Sequence, residues 1–175
     1  PGGFTSLCYG GQYFFDTDHP IGETGSTQSN KITSALDATS FQTARTMLRK
    51  MKDDFGRPTM NRNMDLLIVV PADLEATAET IFEALVNSSG ATNTLKGKAR
   101  ILVADWLADT NNWYLLNVAG IIKPFVLQER EFIPFEALEE GSESNFMRKK
   151  NYYGTYWRGN AGYGLYQKAV GSLVA

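Results

Sequence analysis

The chain has 175 residues, is 43% hydrophobic and carries a formal charge of −2 at neutral pH, which is enough to bury a sizeable core in one domain or in two small lobes that share one. No run of about 18 apolar residues is present, so nothing reads as a membrane-spanning helix, and the single cysteine, Cys8, excludes an internal disulfide and a cysteine-based zinc site. The slight negative balance argues against a protein whose main task is gripping nucleic acid, because that affinity rests on Lys and Arg neutralising phosphates.

The opening PGGFTSLCYGG has no basic segment followed by an apolar core and does not read as a signal peptide. A start at Pro1 rather than Met predicts a piece of something longer. Residues 1–33 are rich in Gly, Thr, Ser, Asn and Asp around one aromatic knot, YFFDTDHP. They predict extended or loop structure with little core of its own, a hairpin or arm that needs a partner surface. From Thr39 onward Phe41, Ala44, Leu48, Met51 and Phe55 fall at helical spacing, with Arg45, Arg49, Lys50 and Lys52 mostly between them. Thr39 and Gln42 have capping-box spacing, and Gly56 followed by Pro58 supplies the stop.

LLIVV at 66–70 is a continuous, β-branched apolar run, the pattern of a strand buried on both faces. Pro71 then opens a second helix, in which Leu74, Ala78, Ile81, Phe82 and Leu85 make an apolar stripe and Asp73 and Glu75 complement the dipole of the first turn. That helix fades in the turn cluster from Asn87 to Gly90. Strands follow at ARILVA, WYLLNV and KPFVLQEREF, separated by the turn-forming DTNN and AG, and their spacing predicts a mostly antiparallel meander. An acidic stretch, EALEEGSESN, leads into the aromatic FMRKKNYYGTYWRGNAGYGLYQKAV. The sum is a mixed α+β fold with a long helix against sheets.

Little in the sequence carries chemistry. Asp16, Asp18 and His19 bring two carboxylates and an imidazole together, but there is no second His, and Asp side chains capping a turn before Pro20 account for them more simply. Cys8 with His19 lacks any flanking signature of a nucleophile, a GxSxG elbow is absent, and Gly159, Gly162 and Gly164 have the wrong spacing for a dinucleotide fingerprint. No catalytic residue, cofactor or metal is expected. Arg148, Lys149, Lys150, Arg158 and Lys168, interleaved with Tyr152, Tyr153, Tyr156, Trp157, Tyr163 and Tyr166, could hold a single strand by stacking and charge. A DNA-contacting module built on this tail is therefore the alternative function. The same alternation of aromatic with small or polar residues also describes a half-buried strand, with glycines where the backbone takes positive φ or approaches another chain.

The order of segments GQYFFDTDHPIG, SFQTARTMLRKMKDDFGRP, DLLIVVPADLEATAETIF, NTLKGKARILVADWL, NNWYLLN, IKPFVLQERE and YGTYWRGNAGYGLYQKAVGS resembles the major head subunits of Mu-like phages and prophages, collinearly from about residue 11 to residue 172. The resemblance implies the Hong Kong 97 phage-like major capsid protein fold, with an extended loop, a spine helix, a peripheral domain and an axial domain. On this chain 1–33 would be the extended loop region, 34–65 and 134–175 the peripheral domain including a spine helix at 34–55, and 66–133 the axial domain with its supporting sheet. The family's N-terminal arm is lacking, which again predicts a fragment.

The implied function is structural and not enzymatic: a virion protein, made in the host cytoplasm, that self-assembles into hexamers and pentamers around double-stranded DNA without sequence-specific binding. Scaffold and portal proteins are its further implied partners, and no membrane is involved. The expected subunit-contact or structural residues are Phe14, Phe15, Trp157, Arg158, Gly162, Tyr163, Gly164 and Tyr166. Gly162 and Gly164 are expected to set the backbone, and Tyr163 and Tyr166 to pack.

Overall fold

The computed structural model describes residues 3–22, 25–59, 64–87, 89–139, 141 and 143–174, without the side chain of residue 144. In chain order these form β1 (His19–Pro20), β2 (Thr27–Gln28), β3 (Lys31–Ile32), α1 (Ala38–Lys50), β4 (Leu66–Val70), α2 (Glu75–Phe82), β5 (Arg100–Val103) and β6 (Trp113–Asn117). They continue as β7 (Phe125–Glu131), β8 (Glu136–Leu138), α3 (Glu143–Arg148), β9 (Tyr152–Gly154), β10 (Arg158–Tyr163) and β11 (Ala169–Ser172). Pro1–Phe125 with Tyr163–Ala175 makes one compact unit and Val126–Gly162 the other.

The first unit is built on a five-stranded sheet in the order β3-β11-β6-β4-β5. The apolar run of β4 lies inside it, parallel to β5 with Ile68 opposite Ile101, and antiparallel to β6 with Ile68 opposite Leu115. β11 is antiparallel to β6 and parallel to β3. The expected meander is therefore not what forms. A parallel β4–β5 pair needs a crossover, which α2 supplies, while β6 crosses to the other side of β4 and β7 pairs with β10 in a separate two-stranded sheet. Alternation within a strand reports which side is buried and carries no record of the neighbour, so the order was not readable from spacing.

Two apolar layers cover the sheet. On one face Phe41, Ala44 and Leu48 of α1 and Ala78 and Phe82 of α2 pack with Ile68, Val70, Leu115 and Val170. On the other, Phe14, Phe15 and Tyr166 pack with Tyr114, Leu116 and Ala169, with Leu67 and Val69 of β4 against them. This is why all five residues of β6, WYLLN, are buried. Because α1 and β4 to β6 share one core, no structural boundary falls between residues 65 and 66. Nor is 1–33 an outlying arm: Phe14, Phe15, His19, Ile21 and Asn30 are buried within the first unit, and β3 extends its sheet.

α1 is capped two residues earlier than the capping-box spacing predicts. The Asp37 carboxylate accepts from the Ser40 amide at 2.5 Å, and the Ser40 hydroxyl accepts from the Asp37 amide at 2.9 Å, so Asp37 and Ser40 form the capping box rather than Thr39 and Gln42. The helix stops at Lys50, with Met51 extended. DDFGRP is a turn of its own: the Asp53 carboxylate accepts from the amides of Phe55 and Arg57, Gly56 takes φ +75°, and Lys52 bridges to Pro58. Phe55 is left outside at 79% exposure. Asp37→Ala is expected to lower stability by about 1 kcal/mol, whereas Phe55→Ala should stay within about 0.5 kcal/mol of the parent, both read from urea unfolding midpoints.

α2 is likewise shorter than its apolar stripe. A 3₁₀ turn over Ala72–Leu74 precedes it, and Leu85 lies exposed beyond its end. The Asn93 side chain donates to the carbonyls of Ile81 and Ala84, satisfying acceptors that a longer helix would have used.

In the second unit β8 and β9 pair antiparallel, Ala137 opposite Tyr153, and α3 lies between them in sequence. Among its described residues none is buried, and Phe132, Phe135 and Phe146 are each more than three quarters exposed.

Candidate assembly surface

The candidate residues separate into two groups. Phe14, Phe15, Tyr163, Gly164 and Tyr166 lie in the first unit. The Phe14 ring stacks on Tyr163 with centroids 4.5 Å apart and meets Phe15 edge-on at 4.9 Å, while Phe15 also contacts Phe4 at 5.2 Å and Tyr114 at 5.4 Å. Two adjacent side chains are both buried because 14–15 is not a strand: the Phe14 amide donates to Ser6 O and the Phe15 amide to Gly3 O, looping the chain around the aromatic pair. Tyr166 stacks on His19 at 3.8 Å, its hydroxyl accepting from Gln28 and donating to the carbonyl of Pro20.

A polar centre holds this aromatic layer to the sheet. Asn30 is fully buried. Its Nδ2 donates to Phe14 O at 2.8 Å and Tyr166 O at 3.4 Å, and its Oδ1 accepts from the Asp16 amide at 2.9 Å and faces His19 Nε2 at 3.1 Å. Its backbone accepts from the Gly171 amide at 3.0 Å. Sequence reasoning missed Asn30, since an Asn in a polar stretch carries no signal of burial. His19 is thus a core histidine. The Asp16 carboxylate accepts from the Thr17 amide, the turn-capping role expected for it, and no group of three metal-ligating side chains occurs among the described residues.

Burial pushes the His19 imidazole below its ordinary pKa of 6.5, outweighing the Asn30 hydrogen bond and the charges of Asp16 and Asp18, which act the other way. The unfolded chain therefore takes up a proton below about pH 6.5 that the folded chain resists, so stability present above that pH is lost as pH falls toward the lowered folded value. His19→Gln should flatten this limb of the urea-midpoint profile, whatever it does to stability at pH 8.

The glycine-rich stretch works differently from expectation. Gly159, Gly162 and Gly164 do not take positive φ. Close approach is the constraint at two of them: a Cβ on Gly164 would sit 2.1 Å from Lys123 O, and one on Gly159 would sit 2.3 Å from the Trp157 ring. Gly162 faces open space, and nothing in the structure explains it.

Trp157, Arg158 and Gly162 lie in the second unit. Trp157 is 46% exposed, its indole donating to Glu129 at 3.1 Å. Arg158 lines a shallow hollow with Gln128, Arg130 and Asn160. The basic aromatic tail required for a DNA-contacting surface is thereby divided. Tyr163 and Tyr166 are taken up by the aromatic layer, and Lys168 Nζ donates to Ala119 O in the first unit, while Arg148 and Arg158 belong to the second.

This α+β architecture is that of phage capsid proteins. The bacteriophage JBD30 capsid superposes with a TM-score of 0.51 at 19% identity, covering 59% of each chain, so the fold class is the Hong Kong 97-like one that the sequence implied. A Mycobacterium phage Patience structure gives a TM-score of 0.47 at 14% identity, over 93% of this chain and 50% of that one. The family model of the Mu-like prophage major head subunit gpT matches residues 1–35, 30–107 and 108–174. The chain belongs to this family. It is 27% identical over 168 residues to the Mu-like prophage FluMu major head subunit of Haemophilus influenzae, covering 95% of this chain and 34% of that protein. It thus spans about a third of the relative's length.

Proposed function

We propose that this chain is the shell-forming part of a phage major head subunit, a structural virion protein that associates with copies of itself into hexamers and pentamers enclosing double-stranded DNA. The observation that carries the reading is the family match, which runs from one end of the chain to the other. Support comes from the division of labour between the units. The first has a buried apolar layer on each face of its sheet. In the second no described side chain is buried, and a pair of two-stranded ladders that leaves its apolar groups in water is at most marginally stable unaided. Contact with further copies would cover it, and many modest contacts around a closed ring give avidity without a tight pairwise one.

In this reading Trp157 and Arg158 belong to copy contacts, whereas Phe14, Phe15, Tyr163, Gly164 and Tyr166 build the inside of the subunit. α1 takes the role of the spine helix, and the peripheral and axial labels apply to stretches that share a core. Scaffold and portal proteins would be partners of the whole subunit. The test is light scattering on a size-exclusion column across a concentration series, with electron microscopy of the leading peak. Rings of five or six, or larger shells, are expected; a strict monomer at every concentration for both this chain and the full-length product would overturn the reading.

A further inference from the structure

Along the solvent side of α1, Gln42, Arg45, Thr46 and Arg49 stand at helical neighbour spacing and form one wall of a hollow of about 390 Å³. The other wall is the 94–98 turn, fixed by the Gly97 amide donating to Phe82 O, and it brings Lys98 to the same hollow. Among the described residues three cations line it and no carboxylate does. Arg45 and Arg49 are a like-charged i, i+4 pair, an arrangement that costs a few tenths of a kcal/mol in an isolated helix. The two ion pairs among the described residues, Arg57 with Asp53 and Arg100 with Asp65, lie elsewhere. Arg45 Nε is buried without a hydrogen-bond partner. The hollow is therefore a cationic seat for which no described residue of the chain provides a counter-charge.

The complementary surface is present on every copy. Glu136, Glu139 and Glu143 stand exposed in and between β8 and α3, and none of them forms an ion pair among the described residues. We propose that Glu136, Glu139 and Glu143 of one copy seat in the Arg45/Arg49/Lys98 hollow of another, a head-to-tail contact that leaves each copy with one donor and one acceptor surface. This rests on the shell-subunit reading and names a contact within it. Unlike patches joined in this way generate rings or chains rather than closed dimers, and arginine offers carboxylates a bidentate fork. The contact is also expected to weaken with salt, because at about 0.1 M the screening length is only about 10 Å.

The test uses the full chain in two isotopic forms, unlabelled and ¹⁵N-labelled, mixed and treated with a zero-length carbodiimide that joins amines to carboxylates. Expected are mixed-isotope peptides linking Lys98 to Glu136, Glu139 or Glu143, with yields that fall as salt rises. Links found only within one isotopic form, or none at Lys98, overturn the contact. A charge exchange keeps the proposal open to refutation if a variant folds poorly. Arg45→Glu/Arg49→Glu/Lys98→Glu and Glu136→Lys/Glu139→Lys/Glu143→Lys should each self-associate about tenfold or more weakly than the parent, about 1.4 kcal/mol per tenfold, and should associate with each other when mixed. Undiminished association of either variant alone, or no recovery on mixing, overturns it. If inorganic phosphate is bound by the hollow but no mixed-isotope link forms, the seat is for a free anion and the proposal fails. Electron microscopy separates the two readings: rings without the Lys98 link retire this contact alone, and the link without rings retires the shell while leaving the contact.

Discussion

Gly171→Ala is expected to lower stability by about 3 kcal/mol, the upper part of the range for forcing volume into a close-packed core. Gly171 lies in β11, between β3 and β6. A Cβ there would meet three atoms of the Phe15 ring at 2.7, 2.8 and 2.9 Å. The ring has no room to retreat, being 1% exposed and boxed by Phe4, Phe14 and Tyr114. The strand cannot move instead, because the Gly171 amide is bonded to Asn30 O and the residue is in register with Lys31 on one side and Tyr114 on the other. The urea unfolding midpoint measures the loss. Phe15→Leu should cost stability alone and recover part of it in the Gly171→Ala background, a coupling of the kind neighbouring residues show in a double-mutant cycle. Simple additivity of the two would mean that the ring is not the obstacle.

That glycine marks where sequence reading ends. The strands 66–70, 100–103 and 113–117 and both long helices were legible because each carries its own signal, a β-branched run or an apolar stripe at period 3.6. Helix ends were less so, since Asp37 outcompetes Thr39 as cap and Asp53 organises a turn where a stripe read through Phe55 predicts helix. Partner order was not legible at all: AVGS in β11 is too short and too small to announce an interior strand, yet it pairs on both sides. The same limit applies to the candidate residues. An aromatic beside a glycine reads alike whether it packs inside its own chain, as Tyr163 does on Phe14, or stands half in water, as Trp157 does. Burial depends on what the distant YFFDTDHP segment does, and that segment, rich in polar neighbours, resembles a free arm until Asn30 is seen holding it.

Asn30→Leu, which keeps the number and branching of the side chain's heavy atoms, should therefore be as damaging as any core truncation, at about 4 kcal/mol. It removes the partners of Phe14 O, Tyr166 O, the Asp16 amide and His19 Nε2 together, and each buried polar group left without a bond costs about 1–3 kcal/mol, with sums below additivity as the site relaxes. Asn30→Asp separates the hydrogen bonds from the shape. Its carboxylate can still accept from the Asp16 amide but no longer donates to Phe14 O, so stability at pH 8 should drop as well. The pH dependence should change sign, however. A buried carboxylate facing the imidazole favours its charged form and raises the folded pKa of His19 above 6.5, where burial in the parent holds it below. Between about pH 5 and 7 the folded variant then binds more protons than its unfolded chain, so its stability rises on acidification while the parent's falls. Urea midpoints for both proteins across that interval, with an imidazole NMR titration of His19, the sole histidine, measure both slopes. Parallel slopes would show that His19 does not sense position 30 and that the polar centre is held by the backbone alone.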